Sequence, residues 1–305
     1  MARVTHNGRR PRGEDVGSAA PGGATGDQCR PRTAFVLSGG ASLGALQVGM
    51  LRALFERGIG ADLLVATSVG ALNAAFIASR PQTVDTTDEL TRVWRGLRRE
   101  DVFPLNPRAL LSGLSSRADH VIPDHGLRQL ARRHLPLQLL EEAAIPLHLV
   151  AFDVVHGREV LLSRGPAIEA VLAAAALPGI LPPVRWGTQR LIDGGVVNNT
   201  PISHAVALGA ERVYVLPTHD GSGALERPPR GALEAATHAL GLLTAGRLKD
   251  DIDRYADQVE VIVLPATNSQ RIQLTDFGHA SRLMSEALAA TRRVLAATDA
   301  RSLAA

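Results

Sequence analysis

The sequence predicts an α/β fold around a mainly parallel sheet, and three features of its 305 residues carry that reading. Thr33-Ala-Phe-Val-Leu37 and Leu63-Leu-Val-Ala66 are short apolar runs, as expected of strands buried on both faces. Each runs into a helical pattern, so strand, helix, strand and helix fill about 45 residues. With 45% apolar and 21% charged residues, no internal repeat and no internal linker, the chain suits one core of ordinary size.

The elements follow in order. Residues 1–32, rich in Gly, Pro and Arg, read as a disordered leader, and 33–305 as one domain. After the first strand, Leu46, Met50, Leu51, Leu54 and Phe55 recur at helical spacing until Gly58 ends the helix. The second strand meets Ser68 and a helix over Val69–Ser79. Residues 85–140 read as helical, with polar joints at Arg98–Asp101 and Ser112–Asp119. Strands are expected at Ile145–Asp153 and Glu159–Leu162, then a buried helix at Ala167–Ala176 that stops before Pro178. Arg190–Ile192 reads as a short strand and Ile202–Leu208 as a short helix. Strands at Arg212–Leu216 and Val259–Leu264 enclose a mostly helical stretch near 229–257, and a last helix covers about 276–297.

Composition narrows the function classes. Residues 1–32 hold six arginines and three acidic residues, which accounts for the whole net charge of +3. The remaining body is neutral and has no electrostatic footprint for nucleic acid. Ten aromatic residues are too few for base-stacking platforms. The single cysteine, Cys29, excludes a disulfide framework. Ala170–Val184, the longest apolar run, is shorter than the ~18–20 residues of a membrane span and contains three prolines. No secretory signal is readable, so the expected compartment is the cytoplasm, with contact at a membrane surface left open. No Cys/His or paired-carboxylate spacing suggests a metal, and no cofactor is expected.

Three segments carry possible chemistry. Ser38-Gly39-Gly40-Ala41-Ser42-Leu43-Gly44 joins a strand to a helix, where glycines let backbone N–H groups turn toward a phosphate or a developing oxyanion. A dinucleotide loop is excluded: G-x-G-x-x-G needs glycine at position 41, and Asp62 opens the second strand instead of closing it. In Ala66-Thr67-Ser68-Val69-Gly70 a serine stands at a sharp strand-to-helix turn between small neighbours. In Asp193-Gly194-Gly195 a carboxylate leaves a short apolar strand, and a carboxylate in an enclosed site can serve as base to a serine hydroxyl. Each has a plainer alternative: a tight turn, a serine N-cap, an Asp-Gly hairpin turn.

In this order, the three segments resemble the patatin-like phospholipase family over about residues 33–265. Ala173–Pro183 resembles the apolar segment that this family carries before its aspartate motif. The resemblance implies a three-layer α/β sandwich and a serine acyl hydrolase of lipid esters, with a Ser68–Asp193 dyad and no cofactor. Gly39, Gly40 and Ala41 would supply the oxyanion hole, with Gly44, Ala66, Gly70, Gly194 and Gly195 as supporting motif positions. Two positions depart from the pattern. Ala41 stands where glycine is common, and Leu43 where Arg or Lys is usual, so a charge for anionic head groups is missing there.

Pro178–Val184 is expected to wall an acyl groove through Ile180 and Leu181, and the region about 100–120 to cover it. The partner implied is a lipid or acyl-ester substrate, not nucleic acid. Other readings stay open: a triad using His204, His219, His238 or His279, a non-catalytic lipid-binding or regulatory protein, or an acyltransferase or thioesterase using the same serine. Asp250, Asp251 and Asp253 read as a solvated helix face, His204 as a helix-surface residue, and Trp94 and Trp186 as packing residues.

Overall fold

The computed structural model of the chain describes residues 30–104, 119–219, 242, 246–267 and 275–302. The expected leader, most of the expected cover and much of the 229–257 stretch lie outside the described residues. Eight strands form one sheet: β1 (Thr33–Leu37), β2 (Leu63–Thr67), β3 (Leu147–Asp153), β4 (Arg158–Leu162), β5 (Val184–Trp186), β6 (Gln189–Asp193), β7 (Arg212–Leu216) and β8 (Glu260–Val263). Their order is β5-β6-β3-β2-β1-β7-β8, with β4 also on β3. The pairs β1–β2, β1–β7, β2–β3 and β7–β8 are parallel, while β4 and β6 run antiparallel to β3.

The apolar runs are explained by burial on both faces. Phe35, Leu37, Leu64 and Ala66 join the larger core, which they share with α1 (Ala45–Glu56) and α2 (Val69–Ala78). Ala34, Val36, Leu63 and Val65 point the other way, into a smaller core with Ile202 and Ala205 of α7 (Ile202–Ala207). Helices therefore cover both faces of the sheet, the three-layer α/β arrangement. The larger core also takes in residues of α3 (Val84–Gly96), α5 (His125–His134), α6 (Ala167–Ala174) and α8 (Ala280–Ser302).

Several local expectations are corrected. The polar joint at Arg98–Asp101 contains a helical turn, α4 (Arg99–Val102), started by the Asp101 carboxylate accepting the Arg98 amide at 2.8 Å. Val184, read as the end of an apolar run, opens a strand, Val184–Trp186, that pairs with β6 across a turn at Gly187. Residues 246–255 are helical, but Asp251 is 3% exposed and packed beside Arg247 at 3.8 Å, not solvated. His204 is half-buried and bonded to Glu159 at 2.6 Å, not a plain surface residue. Trp94, by contrast, packs in the core as expected, its indole N–H donating to Asn73 at 2.9 Å.

Candidate active site

The site is assembled along one edge of β3. Thr67, the last residue of β2, stands opposite Val150, and Asp193, the last of β6, stands opposite Ala151. Val150 and Ala151 also face β4 on their other side, so β2 and β6 share a single edge of β3 in succession. Two distant segments thus end at the same point. The amide of Ser68 donates to the Ala174 carbonyl and that of Asp193 to the Ala176 carbonyl, both at 2.9 Å. The alanine-rich end of α6 thereby fixes both residues.

Ser68 occupies a strained backbone, with φ 56 and ψ −129. Such a conformation costs on the order of 1–3 kcal/mol in a non-glycine residue. Its side chain makes no capping hydrogen bond to α2, which removes the plain N-cap reading. The turn is sharp enough that a Cβ at Gly70 would collide with the Leu37 carbonyl, so the small residue two places on is a steric requirement.

Asp193 is 2% exposed. Its Oδ1 accepts the Gly195 amide at 2.8 Å, whereas its buried Oδ2 has no hydrogen-bond partner among the described residues. Burial pushes the carboxyl up to about 6, against the opposing pull of the Ser68 hydroxyl and the Gly195 amide. The Ser68 hydroxyl thus acts on the carboxyl's pKa, although no hydrogen bond joins the two side chains in this structure. Asp193 is not the corner of a simple hairpin: the chain runs on into a 3-10 turn at Gly194–Val196.

The glycine-rich loop lies across the serine. A Cβ placed on Gly39 would come within 2.8 Å of the Ser68 Cβ and 3.4 Å of its Oγ. The Gly39 amide itself donates to the Asn199 carbonyl at 3.3 Å, while the amides of Gly40 and Ala41 have no acceptor among the described residues. Ala41 adopts φ 48; it and Ser68 are the non-glycine residues with positive φ among those described. Leu43 is buried in the larger core.

The sequence reading missed the residues that hold this loop. Thr218 donates from its hydroxyl to the Gly39 carbonyl, and its amide donates to the Ser38 hydroxyl at 3.0 Å. Asn199 donates to the Gly39 carbonyl at 3.4 Å, and the Asn198 carbonyl accepts the Thr67 hydroxyl at 3.1 Å. A signal was present: both asparagines follow the Asp193 motif, and Thr218 lies just past the carboxyl end of β7, where open α/β sheets place ligand contacts.

From Ser68 an apolar cavity, open at its mouth, runs between helices. Val69, Leu72 and Phe76 of α2 line it in succession, so it follows α2 for roughly 10 Å. Leu181 is in its wall; Ile180 is not on the lining but packs against the larger core. Val102 and Phe103, at the start of the expected cover, also line it. His134 is a rare polar group there; burial and the nearby Arg133 and Arg80 hold its pKa down.

The alternative bases are occupied elsewhere. His204 bonds Glu159, His279 lies 3.3 Å from Asp276, and His219 bonds the Thr218 hydroxyl at 3.0 Å. His238 lies outside the described residues. Among the described residues no group of three His, Cys, Asp or Glu side chains is arranged to hold a metal, and no helix is long and apolar enough to cross a membrane.

Comparison with known proteins agrees with the motifs. The lysophospholipase NTE1 of Mycosarcoma maydis is 26% identical over 195 residues, covering 62% of this chain and 10% of that protein. An uncharacterized NTE family protein of Mycobacterium tuberculosis is 28% identical over 173 residues, covering 55% of this chain and 27% of that protein. The chain therefore spans about a quarter or less of these two relatives. The crystal structure of VipD from Legionella pneumophila matches with a TM-score of 0.45 at 14% identity, covering 88% of this chain and 67% of that one. The family profile described as patatin-like phospholipase matches residues 35–206, more than half of the sequence, and the chain belongs to that family.

Proposed function

We propose that the protein is a serine acyl hydrolase of lipid esters that works through a Ser68–Asp193 dyad. The observation that carries this reading is the free, buried Oδ2 of Asp193 beside a strained serine that caps nothing. A carboxyl held near 6 is ionised at neutral pH yet basic enough to take a hydroxyl proton.

In acylation, Ser68 Oγ bonds to the ester carbonyl carbon as its proton passes to Asp193 Oδ2. The carbonyl oxygen gains the negative charge, and the amides of Gly40 and Ala41 are the available donors for it. Such donors contribute roughly 3 kcal/mol each in other acyl hydrolases. Gly39 joins them only by releasing the Asn199 carbonyl. The C–O bond to the alcohol then breaks, and Asp193 returns the proton to the leaving oxygen. Water, deprotonated by Asp193, attacks the acyl-serine; the bond to Ser68 Oγ then breaks, Asp193 returns the proton to Oγ, and the acid is released. The apolar cavity beginning at Ser68 suits a single acyl chain, which favours lipid esters over small polar ones.

The test is labelling with a fluorophosphonate and turnover of p-nitrophenyl esters of graded length. Wild type is expected to label and to turn over, and Ser68→Ala to do neither. Folded wild type that neither labels nor turns over any ester would contradict the reading.

A further inference from the structure

Beside the apolar cavity lies a second, polar pocket whose lining includes Arg95, Arg98, Arg99, Asp276 and Phe277. Leu97 and Phe277 line both spaces, so the two share a wall. The shared wall is at the Ser68 end. Trp94 stacks on Phe277 with ring centroids 6.1 Å apart, and a Cβ on Gly44, at the end of the oxyanion turn, would lie 3.0 Å from the Trp94 ring and 2.6 Å from Val69. Two stacked rings, Phe277 and Trp94, therefore stand between the arginine pocket and Gly44 at the end of the glycine-rich turn.

Its charge is unbalanced. Arg52, Arg80, Arg128, Arg190, Arg212 and Arg292 each pair with a carboxylate. Arg95, Arg98 and Arg99 are exposed and pair with none among the described residues. Asp276, the acidic member of the lining, is engaged by the Gly278 amide at 2.9 Å and by His279 at 3.3 Å. Among the described residues, three unpaired guanidinium forks against one occupied carboxylate match a phosphate, whose oxygens accept bidentate N–H donation.

We propose that this pocket binds the phosphate of a single-chain phospholipid whose acyl chain lies in the apolar cavity. The proposal rests on the ester-hydrolase reading, since it takes Ser68 as the point between head group and chain. It also supplies from α3 and α4 the positive charge that Leu43 does not provide in the oxyanion loop.

The experiment measures binding, so it does not depend on turnover. Wild type is titrated by calorimetry with octyl phosphate, with octyl glucoside and with inorganic phosphate, each below micelle-forming concentration. Octyl phosphate is expected to bind at least tenfold more tightly than either comparator. R95A/R98A/R99A is expected to bind octyl phosphate no better than octyl glucoside, and R95K/R98K/R99K to regain part of the difference. Equal binding of the two octyl compounds by wild type, or an undiminished preference in the triple-alanine variant, overturns the proposal. Inorganic phosphate binding as tightly as octyl phosphate overturns the lipid assignment. A wild type that keeps the octyl phosphate preference but hydrolyses no ester overturns the function proposed above and leaves the anion pocket standing.

Discussion

Ser68 and Asp193 meet because β2 and β6 follow one another along a single edge of β3, Thr67 opposite Val150 and Asp193 opposite Ala151. Their amides are then held by carbonyls two residues apart, those of Ala174 and Ala176. The pairing is a property of the sheet register, so shifting it would take rearrangement of a central strand. That rigidity suits the base role proposed for Asp193, which requires staying within reach of one hydroxyl through both halves of a reaction.

The raised pKa of Asp193 has a stability cost with a definite sign. A carboxyl lifted from 3.8 to about 6 binds its proton more tightly when folded. Stability from this group is fully present below about pH 3.8 and is lost as pH rises through about 6, on the order of 3 kcal/mol in all. Asp193→Asn is therefore expected to gain on wild type in thermal midpoint as pH rises from 4 to 8. A difference between the two that does not change with pH would show that the carboxyl is not perturbed.

Ala41 gives a second stability test. At φ 48 it carries roughly 1–2 kcal/mol of strain that glycine lacks, offset by about 0.5–1 kcal/mol of unfolded-chain entropy. Ala41→Gly is expected to stabilise the fold by about 1 kcal/mol in urea titration and to keep esterase turnover. A destabilised variant would mean that the methyl group packs better than the backbone suffers.

The wall of the cavity separates two neighbouring residues. Leu181 lines it and Ile180 does not. Leu181→Ser is expected to lower turnover of long-chain p-nitrophenyl esters several-fold more than that of the acetate, while Ile180→Ser lowers both alike. Equal losses on long and short esters for Leu181→Ser would remove the cavity from the acyl-binding role.

The sequence was most legible where local and global constraints coincide. The runs 34–37 and 63–66 are apolar throughout because alternate residues feed two cores, and that pattern survives without knowledge of the partners. The tight passage at Gly70 likewise leaves a local trace, a small residue two places after the serine. Pairing across long separations leaves none. Thr218 reaches Gly39 over 179 positions, and Arg95 shares a pocket with Asp276 only because α3 meets the start of α8. Asp251 was misread for the same reason: its own helix looks solvated, and what buries it comes from elsewhere in the chain. The short β5 was hidden because Pro178–Val184 reads as a groove wall, whereas pairing begins at Val184, just after Pro182 and Pro183.

The rate of Ser68 labelling by a fluorophosphonate, followed from pH 4.5 to 8.5 in wild type and in Asp193→Asn, tests the direct proton transfer most closely. The dyad predicts a wild-type rate that rises with pH about a midpoint near 6, where the Asp193 carboxyl ionises. It also predicts an Asp193→Asn rate slower by roughly a hundredfold or more, with that rise gone. Asp193→Asn labelling at the wild-type rate, with the same pH midpoint, would assign the proton to another base and contradict the dyad.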